Sequence, residues 1–418
     1  MRFSIFTPTH NPANIRRLAQ SLSRQTFKDF EWVVVANKDA KAIDVRNLLA
    51  TSGCQHIKCI DFDAAGNTGI GSLKKFCCKL ASGEFLVEVD HDDELTPNAL
   101  AELYAAFEPG IDFVYSNWCD VNQDGSPVLY PSEHGWQYRQ FEWEGRALAE
   151  AVAFPPSPAS FSRIWYAPNH VRAWRSSFYN TIMGHDPLLP ALDDQDLLCR
   201  TYVSGNVRHI DKCLYIQHHH DENSSAGLEL NDWIQKGTVG MCDHYLPELV
   251  MRWCRDNSLE AIDLCSGPLP AAQFTGIDLL PAPGVIQRDL NCAPWPFPDG
   301  SVGVFRASDA LEHLRDPLVT MREIYRCLAP NGWLLSDTPS TDGRGAFQDP
   351  THCSFWNANS FLYWTHAEQA RFIGTPVKFQ EVRKYNYFPS PWHELNNIPY
   401  VRANLLKFSG RTPGLVTI

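Results

Sequence analysis

The chain has 418 residues, which exceeds the roughly 250–300 residues at which a single hydrophobic core stops growing, so we expect two domains. Apolar residues make up 44% of the chain, and no low-complexity tract or long run of like charges occurs, which excludes extended disorder. The formal net charge of -12 argues against non-specific binding to nucleic acid or to an anionic bilayer, because both require a positive surface. We therefore expect small molecules or glycans as partners, and no nucleic acid.

The cysteine pattern and the hydropathy indicate the compartment. Cysteines number 13, without the regular spacing of a disulfide framework or the C-x-x-C pairs of a zinc site, so we predict reduced thiols. The sequence contains neither a signal peptide nor an apolar stretch of about 18 residues that would span a bilayer. We expect a cytoplasmic protein with no transmembrane segment, whose contact with a membrane would be at most peripheral.

The N-terminal part of the sequence predicts an α/β fold. Over residues 3–115, apolar strand-like runs alternate with amphipathic helical stretches, which indicates a mostly parallel sheet covered by helices. Phe3–Thr7 predicts the first strand, and the strand-like run Phe85–Val89 leads directly into Asp90. Carboxylates just past the end of such a strand lie where open α/β sheets bind ligands.

Three clusters of acidic and histidine residues follow in chain order, namely Asp90–Asp93, Asp193–Asp196 and His218–Glu222. A nucleotide diphosphate leaving group needs a divalent cation, for which carboxylates and one imidazole are suitable ligands. Attack by an acceptor hydroxyl also needs a carboxylate base. One acidic cluster alone is more often a loop cap or a solvated turn. Three of them in this order, with the second at the start of a helix predicted over Asp193–Val203, favour a transferase site.

Over residues 1 to about 225 the sequence resembles the inverting family 2 glycosyltransferases. The similarity is carried by Phe6–Asn11, by the second strand Asp29–Val35 and by Ala81–Phe85, which precedes an Asp-x-Asp motif at Asp90-His91-Asp92. The resemblance implies a nucleotide-diphospho-sugar transferase fold. It also implies inverting transfer of a sugar from a nucleotide sugar to a hydroxyl of a glycan or lipid-linked acceptor.

The same resemblance implies roles for single residues. Asp194 would be the catalytic base, within the pattern Asp193–Arg200. Asp92 and His220 would hold Mn²⁺ or Mg²⁺. The donor would be contacted by Pro8, Asn37, Lys74 and Asp90. Because Ala36-Asn37 replaces two aspartates that recognise the nucleobase in family members, the identity of the donor nucleotide stays open.

The middle of the chain contains less regular sequence. Residues 117–168 are rich in proline, tryptophan and glycine, so we predict irregular loops and short strands there, on the acceptor side. Residues 231–257 predict a helical connector. We therefore place the first domain at residues 1–230 and the second at 258–418.

The C-terminal part predicts a second α/β domain. Leu259–Leu264 predicts a strand that leads into a glycine-containing turn, and Phe274–Asp278 predicts a second strand that ends in an acid. Four further segments resemble the class I S-adenosylmethionine methyltransferases in order and spacing: Asp289–Asn291, Pro294–Val302, Ala310–Leu314 and Leu328–Leu335. This resemblance implies a Rossmann-like fold with S-adenosylmethionine as cofactor.

By the same resemblance, Asp278 would bind the ribose of S-adenosylmethionine and Asp289 the adenine edge. Asp263 and Gly267 would border its methionine portion. His352 is a possible methyltransferase base for an acceptor hydroxyl, and a turn cap is an equally good interpretation of this residue.

The C-terminal sequence also departs from the family pattern. Cys265 stands where the turn usually has its first glycine. Only eight residues, 266–273, separate the two predicted strands, whereas a parallel crossover needs about a dozen or more. We therefore expect the helix that normally packs beside the cofactor to be missing or reduced.

The sequence thus predicts a metal-dependent inverting glycosyltransferase joined to an S-adenosylmethionine-dependent O-methyltransferase that acts on a sugar. Alternatively, the C-terminal domain is a non-catalytic binding or assembly module, which Cys265 and the short crossover leave open. A third interpretation makes both domains glycan-binding only. The residues Asp92, Asp194 and His220 argue against that third interpretation.

Overall fold

The computed structural model of the chain describes residues 1–62, 69–164, 167–219 and 228–409. The side chains of residues 228–232 and 235 are outside this description. Two compact units divide the chain, the first comprising residues 1–245 and the second beginning at Leu246. The expected α/β fold with two domains is confirmed.

Among the residues described for the first unit, ten strands form one mixed sheet. They are β1 (Phe3–Thr9), β2 (Phe30–Ala36), β3 (Ile57–Asp61), β4 (Phe85–Glu88), β5 (Glu94–Leu95), β6 (Phe113–Val121), β7 (Tyr138–Trp143), β8 (Arg146–Ala151), β9 (Arg172–Arg175) and β10 (Val207–His218). The order across the sheet is β3-β2-β1-β4-β9-β6-β10-β5, and the β7–β8 hairpin pairs with β6. Residues 117–168 therefore contain the end of β6 and a regular hairpin as well as loops.

The strand pairing is parallel on one side of the sheet and mixed on the other. Strands β1 to β4 run parallel to one another, and every residue of β2 is buried, as expected for strands covered on both faces. Strand β9 lies antiparallel between β4 and β6. Its register places Arg172 directly opposite Glu88, the last residue of β4. This insertion, which the sequence pattern did not predict, brings a cation to the carboxyl edge of the parallel strands.

The helices of the first unit pack on the sheet through apolar stripes. In the first helix, Ile15, Leu18 and Leu22 are fully buried at helical spacing. The helices are α1 (Ile15–Ser23), α2 (Ala42–Leu49), α3 (Ile70–Leu80), α4 (Ala99–Ala106), α5 (Pro158–Phe161), α6 (Ser176–Thr181), α7 (Asp193–Ser204) and α8 (Leu228–Asp256), with 3-10 turns at Pro12–Asn14 and Ser132–His134. Helix α8, which continues past residue 245, corresponds to the helix predicted over residues 231–257.

The second unit is built on a seven-stranded sheet among its described residues. Its strands are β11 (Glu260–Leu264), β12 (Thr275–Asp278), β13 (Val285–Gln287), β14 (Val302–Ser308), β15 (Leu328–Pro339), β16 (Gln380–Tyr387) and β17 (Tyr400–Leu406). The order is β13-β12-β11-β14-β15-β17-β16, with the first five strands parallel and β17 and β16 antiparallel to their neighbours.

The helices of the second unit are short. They are α9 (Pro317–Cys327), α10 (Gly345–Gln348), α11 (Leu362–Thr365), α12 (Ala367–Ile373) and α13 (Pro391–Leu395), with 3-10 turns at Leu311–His313 and Ala358–Phe361. Helix α9 begins at a proline, and the carboxylate of Asp316 caps it by accepting from the backbone N–H groups of Leu318 and Val319. Residues 265–274 form turns without a helix, so the prediction of a missing crossover helix is confirmed.

The length and hydropathy of the helices bear on membrane association. In the part of the chain that the structure describes, no helix combines the length and the apolar character needed to cross a membrane.

Candidate functional site

The Asp90–Asp93 turn lies at the carboxyl edge of β4, beside the carboxyl ends of β1 and β2. Asp93 is buried, and its carboxylate accepts hydrogen bonds from the Tyr215 hydroxyl at 2.7 Å and from the backbone N–H of His218 at 2.8 Å. These bonds attach the turn to β10, so Asp93 fixes the position of its neighbours. Asp90 keeps 44% of its side-chain surface exposed, and Asp92 is half-buried.

The negative charges of this turn act on one another. Burial raises the pKa of Asp90 to about 7; Lys74 opposes this rise, and the charges of Glu88, Asp92 and Asp194 add to it. Burial also raises the pKa of Asp93 well above its usual range, with Asp92 and Asp90 adding to the effect. The turn therefore brings several carboxyl groups close together. All of them can be ionised at once only if positive charge lies nearby.

A buried network of ion pairs lies beside this turn. The Lys74 ammonium is 2.7 Å from the Glu88 carboxylate and 3.3 Å from that of Asp193, and it also donates to Asp194. Arg172 donates to Asp194 at 2.7 Å, and its guanidinium lies 3.7 Å from Glu88. The network thus combines three carboxylates with two cations, from α3, β4, β9 and α7. We call it the lysine–arginine network.

The two cations decide the protonation state of Asp194. Burial opposes its ionisation, but Lys74 and Arg172 hold the pKa of Asp194 well below the usual range. The neighbouring Asp193 differs, since burial raises its pKa to about 7. Burial also lowers the pKa of His185 to about 3, so this imidazole is neutral within the network. Asp194, with 13% of its side chain exposed, is therefore a carboxylate at neutral pH.

The position of Lys74 corrects the expectation that it approaches the diphosphate of the donor. Its side chain is only 7% exposed, and its ammonium points into the lysine–arginine network. Three carboxylates raise its pKa well above the usual value against the opposing effect of burial. A cation held in this way balances the internal carboxylates, and sequence reasoning missed this role because its partners lie on two other elements, β4 and α7.

The remaining residues predicted for the donor side lie on neighbouring strand ends. Pro8 is near the end of β1, and Asn37 follows β2 directly, with its backbone N–H donating to the Thr9 carbonyl at 3.0 Å. Both side chains are half-buried at the same edge of the sheet. His220, predicted as a metal ligand, lies outside the described residues.

A cavity of about 720 Å³ adjoins the Asp90–Asp93 turn. Asp92, His218 and His219 line it together with the cationic side chains of Arg16, Arg17 and Arg146. The Arg17 guanidinium also donates to the backbone carbonyl of Asp92 at 3.0 Å. Sequence reasoning missed these arginines, because nothing local distinguishes them from surface charges.

In the second unit, the predicted cofactor residues lie at the carboxyl edge of the parallel strands. Asp278 ends β12, and its two carboxylate oxygens accept from the backbone N–H groups of Gly267 at 2.8 Å and Leu280 at 2.9 Å. The carboxylate is half-buried. It therefore holds the turn after β11 against the end of β12.

Asp263 is inside the domain rather than at its surface. It is 2% exposed, and its carboxylate accepts from the backbone N–H of Ala271 and from Arg306, both at 2.8 Å. This placement differs from the expected position beside the methionine portion, since both carboxylate oxygens stabilise the turn and β14. Asp289 lies beyond β13, where it accepts from the backbone N–H and the side chain of Asn291.

The turn after β11 keeps a backbone shape that favours glycine. Gly267 has φ +60°, and Cys265, which replaces a glycine of the family pattern, has φ +50°. A side chain in this left-handed region costs about 1–2 kcal/mol. The cysteine therefore preserves the turn geometry while adding a side chain at the ligand-binding edge.

His352 lies against a second histidine. Its ring centroid is 4.9 Å from that of His313, in an edge-to-face arrangement. The nearby turn is capped by Asp349, whose carboxylate accepts from the backbone N–H and hydroxyl of Thr351. The side chain of Asp349, rather than that of His352, therefore caps this turn.

Comparison with known proteins assigns both halves of the chain. A model of the family "Glycosyl transferase family 2" matches residues 4–163, and a "Methyltransferase domain" model matches residues 246–377. The first unit is thus similar to family 2 glycosyl transferases, and the second is similar to methyltransferase domains.

The similar proteins are distant and long. Chondroitin synthase of Escherichia coli is 24% identical over 225 residues, which cover 53% of this chain and 29% of that protein. Hyaluronan synthase of Pasteurella multocida is 24% identical over 227 residues, 53% of this chain and 21% of that protein. The chain thus aligns with less than a third of either relative. The solved structure of S. aureus TarS 1–349 with UDP-GlcNAc matches 61% of this chain and 73% of that chain, at 18% identity and a TM-score of 0.44.

Proposed function

We propose that the first unit transfers a sugar, with inversion, from a nucleotide sugar to a hydroxyl of a glycan or lipid-linked acceptor. The observation that carries this proposal is the ionised Asp194 beside the Asp90–Asp93 turn, at the edge of the sheet where α/β folds bind ligands. The two relatives named as polysaccharide synthases support a glycan as acceptor.

The donor set of the turn fits a hard divalent cation. Asp90 and Asp92 offer carboxylate oxygens that remain partly exposed, and Mn²⁺ or Mg²⁺ prefers such ligands. In this proposal Asp92 holds the cation, which when bound neutralises the diphosphate leaving group. The neighbouring Asp93 contributes by keeping the turn attached to β10.

The arginines around the cavity supply further positive charge. We assign contact with the phosphates to Arg17 and Arg16, because they line the same cavity as Asp92. A guanidinium fits phosphate oxygens in a bidentate manner. This assignment takes the place of the one expected for Lys74.

Asp194 acts as the base in this proposal. A general base must be deprotonated before it can accept the proton of the acceptor hydroxyl. Lys74 and Arg172 ensure this state at neutral pH despite the burial of the carboxylate. Neither cation releases a proton at that pH, since the pKa of each is raised further.

The experiment compares matched aspartate variants of the full chain. Asp92→Asn is expected to abolish the Mn²⁺-dependent binding of a nucleoside diphosphate, measured by calorimetry. Asp124→Asn is the control, because Asp124 lines the same cavity but uses its carboxylate to cap a turn at Ser126. Equal metal-dependent affinity in the two variants would refute the assignment of Asp92.

Transfer is then measured with a panel of nucleotide sugars and acceptor glycans. Asp194→Asn should retain donor binding and slow transfer about 10²–10⁴-fold, the usual contribution of a positioned base. Asp193→Asn changes the neighbouring carboxyl of the same network, whose pKa burial raises to about 7, and serves as its control. If both variants slow transfer equally, the effect is one of charge balance and Asp194 is not the base.

For the second unit we propose binding of S-adenosylmethionine and methyl transfer to a sugar hydroxyl. Support comes from the methyltransferase family match and from Asp278, whose half-buried carboxylate fits two ribose hydroxyls at the end of β12. The alternative, a non-catalytic assembly module, is favoured by Cys265 and by the absence of a helix in residues 265–274. Titration of the full chain with S-adenosylhomocysteine decides between them. Binding that Asp278→Ala removes supports the enzyme, and no binding at high concentration supports the module.

A further inference from the structure

Three metal-ligating side chains converge at the carboxyl edge of the second sheet. Glu312 and His313 lie in the 3-10 turn Leu311–His313 that follows β14, and His352 comes from the segment after α10. One possible ligand atom from each residue lies within 4.8 Å of the other two. Chain segments about forty residues apart thus deliver a carboxylate and two imidazoles to one place. We call these residues the Glu312 triad.

Glu312 is a buried acid with an incomplete set of partners. The residue is 2% exposed, and one carboxylate oxygen accepts from the Thr338 hydroxyl at 2.5 Å. The other oxygen, Oε1, is buried and has no hydrogen-bond partner among the described residues. Burial of a carboxylate without a balancing charge is unfavourable, so this oxygen calls for a cation.

The hydrogen bonds of the two histidines leave one nitrogen of each available to a ligand. His352 Nδ1 lies 3.0 Å from the carbonyl oxygen of Ala346. His313 Nδ1 lies 3.4 Å from the carbonyl oxygen of Thr351 and 3.2 Å from its hydroxyl, which donates its own proton to Asp349 and so accepts from the imidazole. A carbonyl oxygen only accepts, so we assign the proton of each imidazole to Nδ1. Each Nε2 then carries a lone pair that can bind a metal. In metal-binding histidines, a hydrogen bond of the other ring nitrogen, such as the Nδ1 bonds here, orients the ring.

We propose that the Glu312 triad binds a divalent transition-metal cation, with Zn²⁺ as the best chemical match. Two imidazoles and one carboxylate suit Zn²⁺, whereas Mg²⁺ and Ca²⁺ prefer oxygen ligands alone. Three protein ligands leave a coordination position for water or another oxygen ligand. Both histidines are half-buried, so that position is reachable from solvent.

A second cluster of carboxylate and histidine side chains shows how such a group is neutralised when cationic side chains of the same chain lie beside it. Glu88, His185 and Asp194 in the first unit also offer ligand atoms within 4.8 Å of one another. There, Lys74 and Arg172 already pair with the carboxylates. Among the described residues, by contrast, no lysine or arginine forms an ion pair with Glu312, whose carboxylate is hydrogen-bonded to the Thr338 hydroxyl. Of these two clusters in the described part of the chain, the Glu312 triad is therefore the one that calls for an added cation.

The triad lies near the turn proposed to bind S-adenosylmethionine. The charges of Asp278 and Glu312 both act on the Cys265 thiol in that turn, whose pKa is raised mainly by burial. A cation at the triad would be positioned to bind a hydroxyl of the methyl acceptor. This extension rests on the proposed methyl transfer, whereas the metal site itself does not.

The test measures metal binding by the full chain after treatment with a chelator. The parent protein carries Asp92→Asn, so that the proposed cation site of the first unit does not contribute. Titration with Zn²⁺ by calorimetry should give one tight equivalent per chain, and Co²⁺ should give a visible absorption band. Glu312→Gln, His313→Gln and His352→Gln should each weaken Zn²⁺ binding about 100-fold or more, at least as much as loss of a partner that only orients a ligand. His366→Gln, an exposed histidine of the same unit, should bind as the parent does.

Two outcomes would overturn the proposal. One is the lack of a tight equivalent in the parent, and the other is unchanged affinity in the three variants. Circular dichroism checks that the variants fold, and Glu312→Gln retains the shape of the side chain and its bond to Thr338. S-adenosylhomocysteine binding is measured in the same proteins. Zn²⁺ binding without S-adenosylhomocysteine binding would refute methyl transfer and leave the metal site intact.

Discussion

The lysine–arginine network and the Glu312 triad both place buried carboxylates at the carboxyl edges of their sheets, but they balance charge differently. In the network, Lys74 and Arg172 neutralise buried carboxylates from within the chain. In the triad, a buried carboxylate has a threonine hydroxyl and two imidazoles around it, and no lysine or arginine of the described residues pairs with it. The comparison teaches that the sign of the nearest charges, rather than the presence of ligand atoms, decides which cluster is suited to a metal.

The largest expected effect comes from removing a cation of the network. Arg172→Met leaves Glu88 and Asp194 with Lys74 alone, and breaking a buried pair in this way costs about 3–5 kcal/mol. We expect that loss in the free energy of unfolding of the first unit, measured in urea by hydrogen exchange of β1 and β4 peptides. Arg208→Met is the control, because it breaks an exposed pair with Glu108 worth about 1 kcal/mol or less. Equal losses in both variants would contradict an internally balanced network.

Zn²⁺ should stabilise the second unit by an amount set by its affinity. At a free concentration 100 times the dissociation constant, the free energy of unfolding should rise by about 2.7 kcal/mol. Hydrogen exchange of β14 and β15 peptides in urea measures this gain. At the same free Zn²⁺ concentration, Glu312→Gln should gain about 0.4 kcal/mol or less, because its affinity is about 100-fold weaker or more. A similar gain in that variant would place the cation elsewhere.

A weaker effect is expected from the side chain that orients Glu312. Thr338→Val removes the hydrogen bond to the carboxylate, and loss of such a partner lowers metal affinity about 10–100-fold. Zn²⁺ titration measures the change. Ser336→Ala on the same strand removes a buried hydrogen bond to the Ala403 carbonyl and should leave the affinity unchanged. Identical Zn²⁺ affinities in the two variants would show that Thr338 does not contribute to the metal site.

The smallest effect is expected in the absence of metal. Glu312→Gln removes a buried charge that lacks a cation, so the free energy of unfolding of the metal-free second unit should change by about 1 kcal/mol or less. Asp194→Asn should destabilise the first unit more, because it leaves Lys74 and Arg172 with fewer negative partners. Urea unfolding of the two variants measures both changes in the free energy of unfolding. A larger decrease in Glu312→Gln than in Asp194→Asn would contradict this prediction.

Much of the architecture was predictable because it depends on local patterns. The helix predicted over residues 193–203 is observed as Asp193–Ser204, and the strand predicted to lead into Asp90 is β4. The missing crossover helix followed from counting eight residues between two strands. Burial requires apolar residues at a fixed period, so such elements appear in the sequence itself.

Other predictions could not anticipate the pairing of distant segments. Strand β9 was not recognised as a partner of β4, so the contact of Arg172 with Asp194 and Glu88 was missed. Lys74 was assigned to the donor by the family resemblance, and its three carboxylate partners were missed because they are 14 to 120 residues away. His352 was treated alone, although His313 lies against it.

The sequence by itself determined that this chain has two α/β units, that Asp90, Asp194 and Asp278 lie at strand ends or a helix start, and that the second unit lacks a crossover helix. Only the tertiary structure decided which charges meet. It placed Lys74 and Arg172 beside Asp194, and it brought a carboxylate oxygen of Glu312 within 4.8 Å of nitrogen atoms of two histidines. The physical reason is that hydrophobic periodicity acts over a few residues along the chain, whereas Coulombic partners are selected by proximity in space.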